Sequence, residues 1–391
     1  MEPPSLASFD PIYCADSLEF CPFGAKQCLL IGTYQLLKSG SAANEHSDDT
    51  SQELSSADAQ RVGRIYVCDV TPSADEQEGL AIVERQRIET SAVFDIKWSY
   101  NRVCGRELVG VACADGQVHI YATDNNSSDS YLTQLCVSPS DEAEPSSSMC
   151  CSLDWSNRLA ESSSPEIVAS QSDGTVRLLR LGESRVETVH SWHAHDAEAW
   201  ISSFDYWNVS TVYSGGDDAR FKGWDMRMDP AQPVFNSRRH QAGVCSIHSN
   251  FHRQHMVATG GYDDTVMVWD ARAMRAPLAE YNVGGGVWRL KWHPEEPTQL
   301  LVGAMYGGFH ILDVAVSGMS PLECAPMPGL GASAAVTVTK QASFMKHESI
   351  AYGADWSQSC DDRSAGWLVG TCSFYDHSVQ LWRRPITSSV M

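Results

Sequence analysis

The sequence predicts an all-β chain closed into one seven-bladed propeller, and three observations predict it. A segment recurs along the whole chain, its third apolar run ending in turn at Cys68, Tyr121, Leu179, Trp224, Trp269, Leu312 and Trp382. The first six copies are spaced 43–58 residues apart, and YSGGDDARFKGWD and ATGGYDDTVMVWD nearly superimpose at a spacing of 45. Within each copy apolar residues alternate with period two between turn residues, and no run has the 3.6-residue period of a helix. Short antiparallel strands repeated this regularly read as four-stranded blades.

Each copy has the same internal order. A first strand alternates around an aromatic: SLEF, VFDIKWS, CCSLDWS, WISSFDYW, VCSIHSNF, VWRLKWHP and YGADWS. A second run is small and apolar, as in LVGVACAD, MVATGGYD and WLVGTCSF. The third is the β-branched run of the repeat, and a looser fourth follows, such as PLAEYNV after Arg275. The seventh copy has no fourth run, because the chain ends nine residues after Trp382. The spare N-terminal segment LASFDPIY (6–13) is expected to pair there, so that no sheet edge stays open. Three insertions break the period: 39–60, polar and acidic; 124–148, rich in Ser and Asp; and 315–346, rich in Ala, Met and Pro. The first two read as solvated loops. The third holds a possible strand, AAVTVTK, and a GLGASA whose likeness to a dinucleotide fingerprint is chance without a βαβ setting.

Charge and cysteine usage exclude several classes. With 28 Lys+Arg against 49 Asp+Glu the formal charge is −21, which opposes binding to a phosphate backbone or an anionic membrane and favours a cationic partner. No apolar run is long enough for a membrane helix, and MEPPSLASFDPIYC lacks the features of a signal peptide. The 13 cysteines include no Cys-x-x-Cys pair and mostly sit in strand-like runs, so they read as buried reduced thiols of a cytoplasmic protein. No metal site and no cofactor is expected. The serine-hydrolase elbow, the P-loop and the His-Glu-x-x-His motif are absent.

The repeat resembles the WD40 family. In that pattern a His before the first strand, a hydroxyl on the second, an Asp in the second turn and a Trp ending the third strand form a buried hydrogen-bonded chain that locks the blade. His240, Thr259, Asp263 and Trp269 fit it, as do His195, Ser214, Asp218 and Trp224, each with a His–Trp separation of 29. Asp376 keeps the turn position in the last copy. The departures from the pattern are the informative residues. His377 and Tyr375 flank that turn Asp, Tyr306 stands where the sixth copy should have one, and Glu198 and Trp200 follow His195. Gly284–Gly286 and Trp288 replace an expected Gly-His, and Tyr34 lies in the matching turn of the first copy. All would lie in loops at one face or near the channel mouth.

Seven segments carry a closer likeness: GTYQL, HDAEAWISSFDYW, YSGGDD, RRHQAGVCSI, GGVWRLKWHP, YGADWS and CSFYDHSVQLW. They resemble the diphthine methylesterase family, the WD40 proteins of diphthamide biosynthesis. The resemblance implies hydrolysis of the methyl ester of methylated diphthine, a modified histidine of translation elongation factor 2, to diphthine. It implies elongation factor 2 as protein substrate, with other diphthamide-pathway proteins as further partners. The substrate head would carry a trimethylammonium, which aromatic faces hold, so Trp200, Trp288, Tyr306, Tyr34 and Tyr375 are the candidate cage. His377 is the first candidate base and His240 the second, with Asp376 or Glu198 to orient it. Cys372 or Ser373 is a candidate nucleophile, and the amides of Gly284–Gly286 or Gly307–Gly308 candidate oxyanion donors. The competing class is a non-enzymatic adaptor reading a partner's tail on the same face.

Overall fold

The computed structural model describes residues 2–24, 27–38, 59–73, 79–124, 130–140, 148–320, 335–358 and 366–384. Seven four-stranded antiparallel sheets follow one another around a central channel. Six are built from consecutive strands. Blade one, for example, runs Cys14–Phe20, Cys28–Lys38, Ala59–Pro72 and Leu80–Ser91. Blade seven combines Ala351–Trp356, Leu368–Ser373 and Ser378–Arg383 with the N-terminal strand Ser5–Phe9, which pairs antiparallel with Ser378–Arg383. That strand is shorter than the expected 6–13, because Asp10 and Pro11 open the turn into blade one. The VTVTK part of the AAVTVTK segment opens the fourth strand of blade six, Val336–Phe344. Most of the insertions at 39–60 and 124–148, and the centre of 315–346, lie outside the described residues. Among the described residues no helix is long and apolar enough to cross a membrane.

The alternating aromatic of each first strand has a structural cause. Trp155, Trp292 and Trp356 are fully buried, and each donates its indole N–H to the first strand of the preceding blade. The acceptors are the carbonyls of Lys97 (2.9 Å), His248 (2.9 Å) and Lys291 (3.0 Å). Each indole thus fills an inter-blade seam and satisfies its polar atom there. The small second strands have a matching cause. A Cβ on Gly32 would meet Val93 Cγ1 of the next blade at 2.5 Å, and one on Gly215 would meet Val244 Cγ1 at 2.6 Å. The neighbouring first strand therefore needs those positions bare.

Candidate functional site

Three blades carry the hydrogen-bonded lock. His195 Nδ1 lies 2.8 Å from Asp218 and its Nε2 2.8 Å from Ser214, which also accepts from Trp224 Nε1 at 2.9 Å. His240 bridges Asp263 (3.0 Å) and Thr259 (2.8 Å), and Thr259 accepts from Trp269 at 2.8 Å. The third lock is in blade seven, with a variation: His347 contacts Ser373 at 2.5 Å and Thr371 at 2.9 Å, and Ser373 donates to Asp376 at 2.5 Å. Trp382 closes it on Thr371. Burial pushes the His347 imidazole down to about 4, so it is neutral at pH 7. His347 escaped the sequence reading because the residues before Trp367 stretch its separation from Trp382 to 35 instead of 29.

The first strands line the channel, and their register stacks side chains into rings. The residues paired with the second strand just after a bulge are Ser17, Asp95, Ser152, Ile201 and Ser246, and Arg289 opens the unbroken pairing of blade six. One position earlier, toward the face that carries the lock turns, stand Asp16, Phe94, Cys151, Trp200, Cys245 and Trp288, and in blade seven Tyr352 lies within the wider irregularity between Ala351 and Ala354. Each of the seven blades contributes one residue to this outer ring. Below it the channel holds buried charge. Arg289 reaches from blade six to Asp95 of blade two at 2.8 Å, Lys97 lies 3.1 Å from Asp95, and Lys291 pairs with Glu19 and sits 3.8 Å from Asp355. With Asp16 and Asp154, that makes five buried carboxyls against three cations along these strands. Burial raises the Asp16 carboxyl to about 8 and lifts those of Glu19 and Asp355 above their ordinary values, so protonated acids offset the surplus of carboxyls over cations.

The outer ring joins an aromatic belt. Trp288 stacks on Tyr352 (4.9 Å between centroids) and meets Trp200 edge-on at 5.7 Å and Tyr262 at 6.1 Å. Tyr352 contacts Phe374 (5.1 Å), Phe374 contacts Tyr375 (5.0 Å) and Tyr34 (5.8 Å), and Tyr34 reaches Phe94 (5.7 Å). The belt runs through blades four, five, six, seven, one and two. Trp200 is further fixed by donating to Asp217 at 3.1 Å. The structure therefore brings Trp200, Trp288, Tyr34 and Tyr375 together. Tyr306 is 80% exposed and makes no ring contact among the described residues, although it lies close enough to Tyr352 to add to the rise that burial gives that phenol.

The acid–base candidates are placed less uniformly. Both His240 nitrogens are taken by the blade-five lock, which leaves none for a substrate. Asp376 accepts from Ser373 and from the Glu348 amide (2.9 Å), so it serves the blade-seven lock and does not orient His377. His377 occupies the left-handed corner of its turn (φ 50°), the position of Ala219 and Asp264 in blades four and five, and its amide donates to Phe374 O. Glu198 precedes the first strand of blade four, and its charge helps raise the neighbouring Cys151 thiol. Burial holds the thiols of Cys151 and Cys245 well above their ordinary value and does the same to Cys372, whose side chain is wholly buried. None is a ready thiolate. Three candidate oxyanion donors are already used, Gly307 N by Ala304 O, Gly308 N by Met305 O and Gly284 N by the Asn282 side chain. Sequence reasoning missed Asp16, a ring member only 3% exposed, whose Oδ1 has no hydrogen-bond partner among the described residues.

Known proteins were compared with this geometry in hand. The profile of the WD domain, G-beta repeat matches residues 231–270, which span the blade-five lock. A human protein named diphthine methyltransferase is 36% identical over 90% of this chain and 74% of its own length. The chain belongs to the diphthine methyltransferase family. A Dictyostelium discoideum homologue of that name is 30% identical over 95% of the chain and 96% of its own length, so the family relation embraces all seven blades. A chain from a crystal structure of the mitotic checkpoint complex superposes with a TM-score of 0.64 at 17% identity, covering 97% of this chain and 94% of that one, and this likeness speaks for the fold alone. The belt residues Tyr262, Tyr352 and Phe374 also escaped the sequence reading. Their signal was in the repeat: Tyr352 holds the ring position of Trp200 and Trp288, and Tyr262 and Phe374 sit in the turns beside lock residues Asp263 and Asp376.

Proposed function

We propose that this chain hydrolyses the methyl ester of methylated diphthine on translation elongation factor 2, releasing methanol and leaving diphthine for amidation to diphthamide. The aromatic belt at the channel mouth carries the reading. A trimethylammonium has no N–H to donate, so a salt bridge cannot hydrogen-bond it, whereas indole and phenol faces attract it by about 0.5–2 kcal/mol each. Trp200, Trp288, Tyr34 and Tyr375 would form the cage, together with Tyr352, and the chain's net charge of −21 would add long-range attraction. The ester would then lie against the outer ring, where a base activates water. His377 on its turn and Glu198 beside Cys151 are bases within the same face.

The name of the relatives supports a second reading, transfer of a methyl group onto diphthine. The two separate in one assay. Purified chain mixed with elongation factor 2 bearing methylated diphthine should release methanol with water as sole co-reactant, and the modified histidine should lose one methylene in mass. Incorporation of methyl from a methyl donor into unmethylated substrate, with no methanol release, would favour transfer. Binding to the factor without either change would favour the adaptor.

A further inference from the structure

We propose that Asp16 is the general base of this hydrolysis, drawing a proton from the water that attacks the ester held in the aromatic belt. The inference rests on the ester-hydrolase reading and deepens it.

Four observations carry it. Asp16 is the blade-one member of the outer ring, at the bulge that opens its first strand, and lies close enough to the belt residue Tyr352 for its charge to act on that phenol. It is the ring's one carboxyl. It is nine-tenths buried and more, yet Oδ1 has no hydrogen-bond partner among the described residues, whereas the channel's other acids are mostly bound: Asp95 by Lys97 and Arg289, Asp154 by Ser203 (2.9 Å) and Tyr206 (3.1 Å), Asp355 by the Phe20 amide (2.8 Å). A buried acceptor left without a donor costs free energy, and a water or substrate group would supply that donor. Lastly, the other catalytic types at this face are engaged or masked. The lock histidines use both nitrogens, and the thiols of Cys151 and Cys245 are held protonated.

The groups facing Asp16 come from five blades: Cys14 on its own strand, Asp95, Cys151, Arg289, and Tyr352 with Cys372. Burial raises the carboxyl to about 8; the Arg289 guanidinium opposes that shift and Asp95 adds to it. A base of that strength is matched to proton transfer near neutral pH. In the step itself, Asp16 carboxylate takes one proton from water as the water oxygen bonds to the ester carbon and the carbonyl becomes an oxyanion. The oxyanion then collapses, the C–OCH3 bond breaks, and the same proton passes from Asp16 to the departing methoxide. The products are diphthine carboxylate, methanol and one proton released to solvent. Arg289, close enough to lower the Asp16 pKa, stabilises the carboxylate between turnovers.

The test compares full-length wild type, Asp16→Asn and His377→Ala on elongation factor 2 bearing methylated diphthine, with kcat, KM and thermal melting for each. Asp16→Asn should lower kcat by about 10²–10⁴ with KM within about threefold, and should melt no lower than wild type, since it removes a buried ionisable group. A loss of that size in His377→Ala, with kcat intact in Asp16→Asn, would give the role to His377 and overturn the proposal. The wild-type profile needs no variant: kcat should rise about tenfold per pH unit and level off near pH 8. Unchanged kcat in Asp16→Asn overturns the proposal. So does a pure KM effect, which would make Asp16 the counter-ion of the ammonium, and so does activity that falls above pH 8, which would make it a hydrogen-bond donor in its neutral form. Wild type that releases no methanol overturns the hydrolase reading and this inference together; loss of the inference alone leaves wild-type release intact.

Discussion

Trp288 has three ring neighbours in the belt and is a proposed cage wall, which makes Trp288→Ala the sharpest probe of the cage. Its indole lies between Tyr352 at 4.9 Å, Trp200 at 5.7 Å and Tyr262 at 6.1 Å. Removing it deletes three ring contacts worth about 0.5–1.5 kcal/mol each, so stability should fall by about 2–4 kcal/mol. It also deletes one wall of an ammonium cage, worth about 0.5–2 kcal/mol, which is about 2- to 30-fold in affinity. The two effects are separable with a pair of probes of the same shape. Choline and its neutral isostere 3,3-dimethylbutanol differ in the charge of one central atom. As competitive inhibitors of methanol release from wild type, choline should be the stronger. In Trp288→Ala choline should weaken by the factor above while the isostere changes little, and Trp288→Phe should recover much of the difference. Equal weakening of both probes would mean that Trp288 contributes only shape, and the cation–π reasoning would be refuted.

Three further outcomes follow from the fold and its buried groups. Deleting residues 1–13 removes the register pairs Ser5–Trp382 to Phe9–Val379, the Phe9–Tyr66 contact and the Pro11 carbonyl that accepts from Tyr66; the loss should be about 5 kcal/mol, read by thermal melting, and a melt coincident with the full chain would contradict ring closure by this strand. His240→Ala should destabilise by about 1–3 kcal/mol through the stranded Thr259 and Asp263, while the folded fraction keeps its turnover; a well-folded, inactive variant would return His240 to the chemistry. For Asp16 the native carboxyl titrates near 8 against an ordinary value of 3.8, so the native state holds a proton that the unfolded state has lost between those values, and stability present at pH 4 is lost as pH rises toward 8. Denaturant unfolding of Asp16→Asn should therefore gain on wild type by about 1.4 kcal/mol per pH unit across that window, and a difference independent of pH would show that the carboxyl is not shifted.

The fold was legible because its causes are local and repeated. Alternation, a small second strand and a first-strand aromatic all answer to the same seam between blades, so each recurs wherever a seam recurs. The locks at His195 and His240 were legible for the same reason, through their fixed 29-residue spacing. Blade seven was harder. An insertion before Trp367 displaced His347 from that spacing, and Ser373 enters between imidazole and carboxylate, so Asp376 looked available to orient His377 when it was already engaged. The site was half legible. Trp200, Trp288, Tyr34 and Tyr375 stood out as departures from the repeat. Asp16 did not, because a carboxyl inside CADSLEF reads as one more acid of an acidic chain. Its meaning comes from the register that puts it in a ring with six residues distant in sequence, and from the missing partner at Oδ1.

Ester hydrolysis is tested most directly by the methanol evolved from elongation factor 2 bearing methylated diphthine, with the purified full chain as sole added protein and no methyl donor present. Methanol and diphthine should form in equal amounts over many turnovers. A substrate that binds and is returned with its ester intact would contradict hydrolysis.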